Sequence, residues 1–413
     1  MTETIVVVGT GVAGATAAQT LRKEGFAGRV VLIGEEAALP YRRPVLSKDL
    51  LAGSITAERA QLEPAGYWAD HDIDLRTETR VVELDPRRRR LRLWDNEILD
   101  YDAVILATGA RARHLDHDGG DRVLSLRTAE NVAPLRAAIE AHRSLLVVGA
   151  GLIGCEVAST ARELGAEVTV LESAPSPLAR IVPPAVAEMY VGLHAERDVP
   201  VHTGVALRSL TGDDDGVHAT AEDGRAWTAG AALVAVGSVP DTALARAAGL
   251  TVGDGIVVDE AYRTSAAGVY AAGDAIEQPN PVLGGRHRTE NWNSARAQGI
   301  AAAKSVLGQP LGAAEVPWGW SNQYGHNLQF AGWSRHDDDY VVRGSIEGRD
   351  FTALALRGDR LVGAIALGRP KDIRIVRQLV AAGAAVDRGA LADESVALGD
   401  VAGRRAAATP ASL

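Results

Sequence analysis

The sequence predicts an α/β protein made of two doubly wound, parallel-sheet halves followed by a smaller α+β domain. Three observations predict it. A βαβ unit at residues 4–35 recurs at residues 144–172. Further short apolar strands close each half, at Tyr101–Gly109 (YDAVILATG), Ala231–Gly237 (AALVAVG) and Gly268–Asp274 (GVYAAGD). Beyond residue 320 the texture changes to alternating segments such as DYVVRGSI, FTALALRG and RLVGAIALG, which read as antiparallel strands, and then to a helix beginning near Lys371.

Each repeat is an apolar strand, a G-x-G-x-x-G turn, an amphipathic helix closed by glycine, and a second apolar strand. Gly9, Gly11, Gly14 and Gly25 recur at identical spacing as Gly149, Gly151, Gly154 and Gly165. In such a turn the first glycine permits the sharp exit from the strand. The second lets backbone approach a pyrophosphate, and the third lets the helix pack on the strand. Free N–H groups and the dipole at the helix N-terminus favour the diphosphate charge. The fingerprint wants an acid about 20 residues on to hold ribose hydroxyls; Glu35 and Glu172 stand there. Both halves thus read as Rossmann-like dinucleotide-binding domains. An acid at Glu172, where an arginine would meet a 2′-phosphate, points to NAD(H) in the second half. Leu152 and Ile153 lie inside the second turn, and Arg180 lies close after Glu172, so all three are candidate contacts.

Composition narrows the class. The 413 residues allow two to four domains at about 100–200 residues each. The chain is 46% hydrophobic and 23% charged, with a formal net charge of −10. That balance suits a globular protein and argues against a nucleic-acid partner. No apolar run approaches the length of a membrane span, and the N-terminus enters a strand at once, so a cytoplasmic protein is expected. The arginine run Arg87–Arg90, with Arg92 after it, reads as a solvated hairpin. The one cysteine, Cys155, excludes an internal disulfide and any two-thiol redox centre. No metal site is read from the sequence.

Further segments carry a resemblance. The loop PYRRPVLSK (Pro40–Lys48), the stretch GVYAAGDA around Asp274, ATGAR (Ala107, Thr108, Gly109, Ala110, Arg111), AVGSVPD (Ala235–Asp241, with Gly237), ENWNSARAQG (Glu290–Gly299) and PWGWSNQY (Pro317–Tyr324) are all similar to motifs of one family. Together with the turns they resemble the FAD-dependent pyridine-nucleotide oxidoreductases of glutathione-reductase-like fold. Within these the likeness is to ferredoxin reductases that serve cytochrome P450 and ring-hydroxylating oxygenase systems. It runs from about residue 4 to about residue 400.

The resemblance implies that the first turn, with Glu35, holds FAD and that the second holds NADH. It implies that Arg43 and Lys48 contact the flavin, that Lys48 pairs with Glu156, and that Asp274 accepts hydrogen bonds from the ribityl chain. Trp292 and Trp320 would lie near the isoalloxazine edge, with Glu290 beside the first. ATGAR and AVGSVPD would be the two crossings between domains. The implied domains are 1–110 with 238–320 for FAD, 111–237 for NAD and 321–403 at the C-terminal end, with 404–413 a flexible tail. Departures from the family pattern are Val45 for proline, Asn291 for threonine, Asn293-Ser294, Gly319 for an aromatic and Asn322 for aspartate.

Disulfide reductases of this fold use a cysteine pair and peroxidases a flavin-side cysteine; the 40–48 loop has none. Direct transfer to a one-electron acceptor such as a [2Fe–2S] ferredoxin is the expectation. Arg369, Lys371, Arg374 and Arg377, at near-helical spacing, are the candidate docking patch for an acidic partner. Reduction of rubredoxin, a quinone or oxygen stays open as an alternative, as does a slow-turnover redox-sensing flavoprotein. Nothing in the sequence demands an oligomer beyond a monomer or weak dimer.

Overall fold

A computed structural model describes residues 3–312 and 315–401. The tail expected at 404–413 lies outside the described residues. The chain forms two compact units. The first takes in Met1–Arg113, Leu126–Ala133 and Gly237–Glu315; the second takes in His114–Ser125, Pro134–Val236 and Val316–Leu413. Leu126–Ala133 therefore belongs to the first unit, although it falls inside the 111–237 span read as one domain.

In the first unit five parallel strands lie in the order Val269–Ala271, Ala103–Leu106, Thr4–Val8, Arg29–Ile33, Ile73–Arg76. Side chains alternate across a strand, and here both faces are covered. Ile5 and Val7 pack with Ala13, Ala17 and Leu21 of the helix Val12–Lys23 and with Ala302 and Ala303 of the helix Trp292–Val306. Val6 and Val8 pack with Leu84, Leu91 and Leu99 of a three-stranded antiparallel sheet, Val81–Asp85, Arg90–Leu93 and Ile98–Asp100. Small residues let the two helices meet closely: a β-carbon at Gly299 would stand 2.2 Å from the Ala13 carbonyl oxygen. Arg87–Arg89 lie in an exposed turn of that antiparallel sheet and Arg90 opens its next strand, as expected of a solvated hairpin.

The second unit repeats the plan. Its parallel sheet runs Val201–His202, Glu167–Leu171, Ser144–Val148, Ala231–Val234, Val123–Ser125, with the helix Leu152–Glu163 following the central strand. A three-stranded antiparallel sheet, from Leu207 to Ala229, covers one face through Leu210, Val217 and Ala219. The C-terminal part of this unit is a five-stranded antiparallel sheet in the order Trp318–Gln323, His326–Gly332, Arg360–Leu367, Asp350–Arg357, Asp339–Ser345. The helix Pro370–Ala381 buries Ile373, Val376, Leu379 and Val380. Among the described residues no helix is long and apolar enough to cross a membrane.

Within the second unit a buried polar seam joins the strand Trp318–Gln323 to two helices. The Ser321 hydroxyl donates to Glu156 Oε1 at 2.8 Å, and the Tyr324 N–H donates to Ser159 Oγ at 2.8 Å. On the helix Pro184–Ala195, His194 Nδ1 lies 2.9 Å from the Tyr324 hydroxyl. Glu156, Ser159, His194, Ser321 and Gln323 are all buried. Desolvation holds the His194 pKa down to about 4, with Gln323 opposing the shift.

The unfolded chain takes up this proton near 6.5, whereas the folded one does so only near 4. Between these values the unfolded state binds more protons, so stability falls as pH falls through the window and the full contribution is present above 6.5. The loss is on the order of 3 kcal/mol by pH 4. Thermal midpoints measured from pH 7 to pH 4 should therefore drop less steeply in His194→Gln than in the parent.

Candidate functional site

The two glycine turns have matching geometry. Gly9 has φ +116°, and a β-carbon there would stand 2.1 Å from the Ala107 carbonyl oxygen; at Gly149 φ is +104° and the corresponding distance, to Ala235, is 2.5 Å. A β-carbon at Gly14 or Gly154 would lie 1.9 Å from the carbonyl oxygen of Gly9 or Gly149. Gly11 and Gly151 are different. Each is the N-cap of its helix without a side-chain cap, each has ordinary backbone angles, and a β-carbon there would meet nothing within 4 Å. Neither helix N-terminus is closed by a side-chain cap, and the space beside its N-cap glycine is open. A diphosphate fits such a cradle, because unpaired N–H groups would meet its charge.

The two acids are placed differently. Glu35 follows the strand Arg29–Ile33 with its side chain 65% exposed and 3.9 Å from Arg80. Glu172 is tied to its own turn: its carboxylate accepts from the Ala150 N–H at 2.6 Å and the Ala174 N–H at 2.7 Å. Leu152 is half-buried, whereas Ile153 and Arg180 are exposed.

In the first unit the structure joins two residues singled out in the sequence, Arg43 and Asp274, to three that were not, Glu36, Tyr41 and Arg127. Arg43 pairs with Glu36 and donates to the Tyr41 hydroxyl at 2.7 Å and the Arg127 carbonyl at 2.8 Å. The Tyr41 hydroxyl donates to Glu36 at 2.6 Å and accepts from the Ala129 N–H at 3.0 Å. Burial opposes the Arg43 charge, but Tyr41, Glu36 and Asp274 outweigh it and hold its pKa above the ordinary value. Desolvation pushes the Tyr41 hydroxyl well above its usual range. Arg127 in turn donates to Asp274 at 3.0 Å and to the Ala110 carbonyl at 2.7 Å. Glu36 directly follows the first repeat and Tyr41 lies inside the quoted 40–48 loop, so both were within reach of sequence reasoning. Arg127 has no sequence signal, because its partners are distant along the chain.

Of the crossings, Ala110–Ala112 pairs antiparallel with Ser238–Pro240. The Thr108 hydroxyl donates to the Asp241 carbonyl at 2.6 Å, and Arg111 pairs with the Asp241 carboxylate at 2.8 Å. Ala107 backs Gly9, while Gly109 and Gly237 take positive φ. Lys48 lies in the helical turn Leu46–Leu50 of the first unit, its ammonium 3.2 Å from Ser47 Oγ, whereas Glu156 is in the second unit. Trp292 and Trp320 are likewise in the first and second units. Glu290 pairs with Arg288. Trp292 opens its helix with its indole N–H buried and, among the described residues, without a partner.

Two departures from the family pattern have a local explanation. Asn291 caps the helix Trp292–Val306, accepting from the Ser294 N–H at 2.8 Å, a task asparagine and threonine share. Gly319 lies opposite Phe330 on the neighbouring strand, and a β-carbon at Gly319 would stand 2.6 Å from the Phe330 ring. The Phe330 ring thus occupies the space that a side chain at 319 would enter.

The C-terminal basic residues divide. Arg369 is paired with Asp350 and Glu394, and the Arg377 guanidinium lies over the Trp318 ring at 5.1 Å from its centroid. Lys371 and Arg374 are exposed. Cys155 is fully buried, its thiol directed at the Ala150 carbonyl and pushed far up in pKa by burial.

Residues 3–299 match a family model described as pyridine nucleotide-disulphide oxidoreductase, and residues 318–402 match one described as reductase C-terminal. The chain is 39% identical to the ferredoxin reductase component of chlorobenzene dioxygenase from a Cupriavidus species, over 96% of this chain and 97% of that one. It is 37% identical to the ferredoxin–NAD(+) reductase subunit of the benzene 1,2-dioxygenase system of Pseudomonas putida, over 97% and 98%. It superposes on a chain of the crystal structure of the covalent putidaredoxin reductase–putidaredoxin complex with a TM-score of 0.93 and 34% identity, covering 97% and 98% of the two chains. With its two glycine turns and a match to most of its length, the chain belongs to the pyridine nucleotide-disulphide oxidoreductase family.

Proposed function

We propose that this protein is an NADH-dependent ferredoxin reductase that binds FAD in its first unit and NADH in its second. Its electrons go singly to a [2Fe–2S] ferredoxin serving a cytochrome P450 or a ring-hydroxylating oxygenase in the cytoplasm. The domain limits implied by the family motifs are part of this reading. The observation that carries it is the solitary, fully buried cysteine in a chain with two dinucleotide turns. Without a thiol pair, the chain must hand electrons directly to another molecule. The relatives named above are ferredoxin reductases.

When bound, FAD supplies the change from two-electron to one-electron transfer. The protein's residues position and polarise. The N–H groups at Gly11 and the Arg127–Asp274 pair hold the first cofactor, and Arg43, fixed by Glu36 and Tyr41, keeps the 40–48 loop in place beside it. The turn at Gly151, with Glu172, holds the second. Trp292, with Glu290 in the same motif, and Trp320 are the tryptophans that the family motifs would assign to flavin contact. Lys48 is the cation that stabilises negative charge as electrons arrive, and Glu156 is the carboxylate acting on the same step. Lys371 and Arg374, the exposed members of the basic helix, steer an acidic ferredoxin; Arg369 and Arg377 support that surface from their partnered positions.

Gly11→Val and Gly151→Val should fold as the parent does, because a β-carbon at either position meets nothing within 4 Å and the backbone angles are ordinary. Gly11→Val should then lose FAD on gel filtration, and Gly151→Val should lose NADH binding by calorimetry while remaining yellow. Cytochrome c reduction by NADH should require an added [2Fe–2S] ferredoxin and should slow as salt rises. Equal rates without ferredoxin would instead favour oxygen or a quinone as acceptor, and a stable reduced complex with no turnover would favour a sensor. Lys48→Met should bind NADH normally and reduce flavin about a hundredfold more slowly in anaerobic stopped flow.

A further inference from the structure

The strand Trp318–Gln323 turns two polar side chains inward. Its buried positions are Gly319, Ser321 and Gln323. Ser321 is fully buried and Gln323 nearly so, at 0% and 1% exposure. Inward-facing polar residues on a buried strand cost stability unless their hydrogen bonds are made. Here they converge on Glu156, whose carboxylate is itself only 3% exposed.

The direction of the contacts is fixed by their chemistry. Gln323 Nε2 donates to Ser321 Oγ at 3.2 Å. A serine hydroxyl has one proton to give. With its oxygen accepting from the amide, that proton is directed to Glu156 Oε1 at 2.8 Å. The Tyr324 N–H meets Ser159 Oγ on the same helix face, one turn beyond Glu156. The strand is therefore pinned at two points, and only one of them touches the carboxylate.

We infer that Ser321 is a positioning residue for Glu156: through a hydroxyl whose proton is directed by Gln323, the C-terminal sheet sets the orientation of the carboxylate used in NADH oxidation. The inference rests on the role proposed above for Glu156. It assigns the C-terminal sheet a part in the first half-reaction, in addition to any part in partner docking.

The test compares FAD-loaded Ser321→Ala, Ser321→Thr, Gln323→Met and Glu156→Gln by anaerobic stopped flow, which separates the Kd for NADH from the limiting rate of flavin reduction. Ser321→Ala keeps the Tyr324–Ser159 pin and should lower the melting midpoint by only a few degrees, with an NADH Kd within about twofold. Its limiting rate should fall about tenfold, the scale of one hydrogen bond to a charged group. Ser321→Thr retains the hydroxyl and should recover most of the rate; Gln323→Met should show a smaller loss. The long-wavelength absorbance of the reduced protein with NAD+ should change in Ser321→Ala and be restored in Ser321→Thr. A parental rate and spectrum in Ser321→Ala, with Glu156→Gln slow, would overturn the positioning role and leave the proposed function intact. A parental rate in Glu156→Gln would overturn the role of Glu156 itself and this inference with it. Should Ser321→Ala melt early, the Gln323→Met and Ser321→Thr rates decide, and parental behaviour in Gln323→Met would refute a directed proton.

Discussion

Both halves of the molecule depend on one steric fact. At Gly14 and Gly154 there is no room for a β-carbon, because the carbonyl of the first glycine in each turn already occupies its place. The helix can therefore start against the end of its strand, and its free N–H groups face the open space beside Gly11 and Gly151. Helix packing, the open cradle and the strand exit are the same contact viewed from different sides. A larger residue at the third position would push the helix away and dissolve the cradle even with the first two glycines in place.

On this scaffold the two sites differ in how their acids are used. Glu172 is bound to backbone N–H groups of its own segment, one of them in the turn. Glu35 reaches into solvent, while its neighbour Glu36 is enclosed with Tyr41 and Arg43. The first unit thus has a charge cluster in which Arg127 and Asp274 join Arg43, Glu36 and Tyr41, and the second turn is tied instead to a single carboxylate.

The repeat was legible in the sequence because glycine spacing and strand periodicity are local properties, and the antiparallel C-terminal strands were legible for the same reason. Arg127 was not legible. Its value lies in contacts with Ala110 and Asp274, and an isolated arginine announces neither. The basic helix was legible only in part: spacing cannot tell that Arg369 is neutralised by Asp350 and Glu394 or that Arg377 lies on Trp318. The inward turn of Ser321 could be read from strand alternation, but not its proximity to a glutamate on a distant helix.

The crowding of position 319 by the Phe330 ring bears on how this strand pair can change. The two sites share one volume, so a chain with a ring at each is overfilled and a chain with a ring at neither has a hole. A ring introduced at 319 would therefore need Phe330 to change with it, for steric reasons unrelated to partner recognition. The unit of inheritance in this part of the fold is the strand pair.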